Sequence, residues 1–192
     1  MDIDLNYHVV YTKQAKKAIV KLLKEHYPGT WDEVFEKIQQ KYVAYLKDYR
    51  KDLGGKKNFH NGVGGNYDCI FYFCMWELCK KEISFDEVEK NYEEMMLPTY
   101  RGMRLFNGNH GIVKRFMYVA FKSAQRRCDV FGDFKMHVDP YDGNKPLTYH
   151  FTSCPVAEFA REHGFTDILP ALCNIDYPEL FMTTQDASRM TN

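Results

Sequence analysis

Cys154 is followed by Pro155, by a run in which Val156, Phe159 and Ala160 recur at three and four, and by Gly164. Proline suits the first position of a helix, because its missing N–H would have no partner there. The pattern predicts a short helix with Cys154 as its N-cap and Gly164 as its stop. Glu158 and Arg161 fall on its polar side as an i, i+3 pair. A thiol in the N-cap position faces unpaired amides and the positive dipole end, which favour thiolate over thiol. The chemistry on offer is nucleophilic attack, with the same amides able to receive a developing anion. Cysteine is also among the most buried residue types, so a core-filling thiol is the plainer alternative.

A second group follows in "FTDILPALCNIDYPEL", residues 165–180. Thr166 can cap a short turn, Pro170 limits it, and Cys173 leads to Asp176. Asp176 is either the N-cap of one more helix or a carboxylate for a cationic substrate group. His150, four residues before Cys154, could relay a proton, though a lone histidine is more often structural. Arg101, Arg104 and Arg115 are the candidate cations for a substrate anion, and spacing does not choose among them.

There are six cysteines and no C-x-x-C pair, so the strongest zinc and redox signatures are missing. Cys69, Cys74 and Cys79 fall five apart, which turns each by roughly 140° on a helix. They cannot converge on one ion, and core filling is their expected role. A zinc ion held by Cys154, Cys173 and a histidine is a competing arrangement without a short-spaced pair to anchor it. The chemistry therefore calls for no cofactor and no metal.

The elements that must position these groups are mostly helical. Residues 13–26 put Ala15, Ile19, Leu22 and Leu23 on one stripe against a lysine-rich face. "YPGT" breaks the pattern, and a longer helix runs from Trp31 to about Asp52. Residues 53–68 hold five glycines and lack both phosphate-loop registers, so they read as a loop or substrate-covering segment. An apolar helix follows over 68–81. "SFDE" at Ser84–Glu87 is a capping box for a helix that Pro98 stops. Another helix runs from about Gly111 to Arg127, with Ile112, Phe116, Val119 and Ala120. Period-two alternation through Phe134, Met136 and Val138, the turn "YDGNKP", and Leu147, Tyr149 and Phe151 predict a hairpin over about 130–153. The expected class is α+β: a mainly helical first two thirds, then a small antiparallel element with packed C-terminal helices. One domain over 1–192 is expected, with 1–52 as a helical arm or helical pair packed on the remainder.

Composition bounds the partners. Basic and acidic residues cancel at 26 each, which gives no electrostatic reason to expect nucleic acid. The start carries early acids rather than a leader's apolar core, and no run reaches the roughly 20 apolar residues of a membrane span. The expected setting is soluble and cytoplasmic, with a small-molecule substrate, no nucleic acid and no membrane. Aromatics at 16% permit a buried interface in a homo-oligomer.

The stretch "YHFTSCPVAEFAREHGFTDILPALCNIDYP", Tyr149 to Pro178, resembles the bacterial L-2-amino-thiazoline-4-carboxylic acid hydrolase family. The likeness is dense over these residues and looser at Gly64–Asp68, whose Asn66 becomes a candidate substrate contact. It implies ring-opening hydrolysis of a cyclic amidine, 2-amino-thiazoline-4-carboxylate or a close analogue, on the way to cysteine, and it makes the substrate anion a carboxylate. Cys154, Cys173 and Asp176 are the positions it carries over. A later cysteine-containing segment of that family has no counterpart after Cys173. A non-catalytic small-ligand binder or sensor is the alternative from another class.

Overall fold

The computed structural model describes residues 11–49, 64–101, 111–131, 135–143 and 147–174. Among them are seven helices and one two-stranded sheet: α1 (Lys13–His26), α2 (Trp31–Tyr49), α3 (Gly64–Cys79), α4 (Phe85–Arg101), α5 (Gly111–Phe131), β1 (Lys135–Val138), β2 (Tyr149–Ser153), α6 (Pro155–His163) and α7 (Leu169–Cys173). The class is α+β, as the patterning predicts.

The core is organised around α3. Its residues 67–76 are all buried, so this helix is covered on every side rather than along one stripe. α1, α2 and α6 pack on it, and α4 packs on α1 and carries α7. Tyr11 stacks on Phe71 at 3.9 Å between ring centres, and Tyr42 meets the same ring edge-on at 5.3 Å. α1 and α2 thus belong to one continuous core with α3, α4, α6 and α7. Among the described residues no helix is long and apolar enough to cross a membrane.

Asp68, on the first turns of α3, pins the entrance of α1. The Thr12 amide donates to one carboxylate oxygen at 2.7 Å, and the Thr12 hydroxyl donates to the other at 2.9 Å. That hydroxyl also accepts from the Ala15 amide at 3.1 Å as the α1 N-cap. The capping box forms as expected: the Ser84 amide donates to Glu87 at 2.8 Å, and Glu87's amide donates weakly to Ser84 Oγ at 3.4 Å.

Four boundaries differ from the sequence reading. Residues 64–68 are helical, because two glycines are tolerated in a first turn and burial of Tyr67 and Asp68 rewards the extension. The remainder of the glycine-rich loop, 53–63, lies outside the described residues. α4 continues past Pro98 to Arg101, since a proline in the last turn removes only the one bond to the Glu94 carbonyl. α5 runs to Phe131, so the hairpin strands begin only at Lys135. Pro170 opens α7 instead of limiting it, in the first turn where its lack of an N–H costs nothing.

The hairpin pairs Val138 with Tyr149, His137 with His150 and Met136 with Phe151. Met136 and Val138 are buried, while Phe151 on the same face is 52% exposed. Helix α5 covers this small sheet. Phe121 lies 4.7 Å from Tyr149, Lys122 Nζ donates to the Val138 carbonyl at 2.9 Å, and the Val138 amide donates to Gln125 Oε1 at 3.1 Å.

Burial lifts the Asp68 carboxyl from 3.8 to about 6, against the two Thr12 hydrogen bonds that lower it. A carboxyl raised in the fold gives stability that is complete below the unfolded value and lost as pH rises through the folded one. Unfolding by urea should therefore show a loss on the order of 2–3 kcal/mol from this group between about pH 4 and pH 6, and Asp68→Asn should flatten that slope. Phe159 is buried where α6 meets α3, its ring 6.0 Å from Phe73. Phe159→Ala should cost about 3–5 kcal/mol in the same measurement.

Candidate functional site

Cys154 is the N-cap of α6, in extended conformation at φ −127° and ψ 114°, with Pro155 in the first turn. Its carbonyl accepts the Glu158 amide at 3.0 Å, which closes the first helical turn. Gly164 ends the helix at φ 78°, a left-handed conformation that suits a residue without Cβ, and Phe165 N–H returns to the Ala160 carbonyl at 2.7 Å. The sequence reading of this helix holds at both ends.

The side chain behaves differently from the backbone. Sγ makes no capping hydrogen bond to the α6 amides. It is half-buried and packs against the apolar core. Ser153 Oγ, one residue earlier, donates to Glu158 Oε1 at 2.6 Å, so a carboxylate lies beside the same helix end. Arg161 Nε donates to the Ala157 carbonyl at 3.4 Å. The side chains hydrogen-bonded to each other at the start of α6 are thus Ser153 and Glu158, with the Cys154 sulfur turned to the core.

A second thiol comes to this region from the core. Cys69 on α3 is buried, with its sulfur 3.6 Å from the Tyr92 hydroxyl of α4. Burial pushes its thiol up to about 12; the Tyr92 hydrogen bond opposes this, while Cys173, Asp68 and Cys154 add to it electrostatically. Cys69 is thus within electrostatic reach of both cysteines that the sequence singles out. Cys173 is exposed at the end of α7. One bond holds each side of α7: before its start Trp76 Nε1 donates to Asp167 at 3.0 Å, and after Cys173 Asn174 Nδ2 donates to Glu89 at 2.8 Å. α3, α6 and α7 each supply one cysteine to this region. Cys69, Cys74, Cys79, Cys154 and Cys173 are all thiols rather than disulfides.

The remaining candidates are dispersed. His150 projects from the exposed side of β2, and its Nε2 lies 3.0 Å from Asp139. His137, across the strand pair, approaches the same carboxylate at 3.6 Å. Along an extended strand His150 is roughly 13 Å from Cys154, beyond proton-transfer reach. The Thr148 hydroxyl and then His150 hold the Asp139 carboxyl below its usual range. Arg115 is exposed on α5, the helix that covers the hairpin. Asn66 lies in the first turn of α3 and Arg101 ends α4, and both side chains fall outside the described ones. Arg104 and Asp176 lie outside the described residues.

Among the described residues no group of three or more His, Cys, Asp and Glu is placed to hold a metal ion, so the Cys154, Cys173 and histidine set does not assemble there. The sequence reading missed the place of Cys69 and the Ser153–Glu158 bond. On a helix apolar all round, no periodicity marks which face meets a neighbour. No family profile, no curated protein and no solved structure matches the chain.

Access orders the thiols. Iodoacetamide on the folded protein should label Cys173 first and Cys154 next, both before Cys69, Cys74 and Cys79, with peptide mass spectrometry as the readout. Labelling of Cys69 at the rate of Cys154 would contradict this burial.

Proposed function

We propose that the chain is a thiol-dependent hydrolase that opens a cyclic amidine, 2-amino-thiazoline-4-carboxylate or a close analogue. One observation carries the reading: Cys154 is a partly accessible thiol at the start of a proline-initiated helix, inside the stretch that resembles the bacterial hydrolases. Cys173, accessible at the end of α7, supports it as the second thiol of the region.

The chemistry follows from the substrate. A protonated amidine carbon is electrophilic, and the Cys154 thiolate adds to it, forming a C–S bond. The ring C–N bond then breaks, and the ring nitrogen leaves with a proton. Cys173 is the candidate donor, since His150 is held by Asp139. Water adds to the same carbon and expels the Cys154 thiolate, which restores the enzyme and leaves a carbamoyl product. Asp176 would hold the exocyclic amine. A substrate carboxylate would be met by Arg101 or Arg104; Arg115 is directed to solvent on α5 and is not assigned.

A second reading rests on a specific observation. Cys154 Sγ lacks a capping hydrogen bond to the α6 amides and packs against the apolar core. That arrangement suits a non-catalytic binder or sensor of the same ligand class. Thiazoline turnover by the purified chain separates the two. The hydrolase should turn the compound over, with kcat falling roughly a thousandfold or more in Cys154→Ser. A binder would retain affinity for the amidine in calorimetry and form no product with either protein.

A further inference from the structure

One face of α5 is fully engaged. Tyr118, Phe121, Lys122 and Gln125 recur at three and four, and all touch the hairpin strands or Tyr141 in the segment that follows β1. On the opposite face Ile112, Phe116 and Val119 recur in the same way and are 73%, 64% and 65% exposed. Single exposed apolar residues need no explanation, but three large ones on one helical stripe do.

Charge narrows what can cover them. The chain as a whole balances 26 basic against 26 acidic residues. α5 alone carries Lys114, Arg115, Lys122, Arg126 and Arg127 against Asp129. Arg115 and Arg126 are exposed, and at 100° per residue they border the apolar stripe on one side. The face therefore combines hydrocarbon with positive charge, and its complement is apolar and anionic.

The geometry points to α5 as a docking helix for the surface of an anionic lipid bilayer, with Ile112, Phe116 and Val119 entering the acyl boundary and Arg115 and Arg126 at phosphate level. A second copy docked through the same stripe would bring cations against cations, with no acid on that face to compensate. A protein partner of standard size takes some 20–30 residues a side, whereas this stripe spans roughly 10 Å of one convex helix. A bilayer needs no matching groove, and it accepts a single apolar face whose arginines extend to the headgroups. The contact is peripheral, because no described helix can cross a membrane. The lack of a spanning run, on which the expectation of no membrane partner rests, leaves such a surface contact open.

The test is flotation of the full chain with phosphatidylcholine vesicles, with and without phosphatidylserine. Phe116→Glu and Arg126→Gln serve as variants, and circular dichroism confirms that each remains folded. Expected are capture only by phosphatidylserine vesicles, release at high salt, loss of capture in Phe116→Glu, and about fivefold weaker capture in Arg126→Gln. No capture, equal capture by neutral vesicles, or unchanged capture of Phe116→Glu would overturn the proposal. So would two other results that assign the face to a protein. One is binding of a labelled acidic amphipathic peptide in place of vesicles. The other is a dimer in light scattering that Phe116→Glu converts to monomer without any vesicle capture.

Discussion

Ten consecutive residues of α3, 67–76, are buried, and every other arrangement in the helical core answers to that burial. A helix apolar on all sides must be surrounded, and α1, α2 and α6 do so directly. The stacked and edge-on rings around Phe71 and Phe73 fill the space between them. One carboxylate enters this surround from α3 itself, Asp68, and both its oxygens are used by Thr12. The same helix that demands enclosure thereby fixes where the α1 end of its enclosure begins.

This constraint also decides where the thiols lie. Cys154 belongs to a nine-residue helix too short to persist in water by itself, so its position depends on Phe159 packing against Phe73. Cys173 ends a five-residue helix that α4 carries and that Asp167 ties to Trp76. Cys69 is part of α3. Three cysteines far apart in sequence share one region because two short helices are docked on the central ones. The candidate site is in this sense a property of the packing, and neither short helix would hold its sulfur in place alone.

The amphipathic helices were legible because their apolar residues repeat at one period. Ala15, Ile19, Leu22 and Leu23 are all buried, and Ser84 with Glu87 forms the box its spacing announces. Cys154 as N-cap and Gly164 as stop were legible for the same reason, since proline and glycine each impose a backbone geometry. Other features carry no such signature. Gly64 and Gly65 read locally as loop, and only the burial of Tyr67 beyond them makes helix worthwhile. On α5 the repeat of Ile112, Phe116 and Val119 suggests a buried stripe, yet Tyr118, Phe121, Lys122 and Gln125 are the residues that pack. Mixed aromatic and polar contacts have no hydropathy period to betray them. The approach of Cys69 to two other thiols is a tertiary fact, invisible in any spacing.

The bonds from Lys122 and Gln125 to Val138 have a topological consequence. In a two-stranded ribbon each strand has an outer rim of backbone donors and acceptors, which another chain can copy. On β1 the outward N–H and C=O of Val138 are both occupied by side chains of α5. That rim is closed at its C-terminal end, and an added strand cannot pair with Val138 without displacing those α5 side chains. A widening of this sheet that reaches Val138, by another segment or another molecule, is thereby left to the β2 margin.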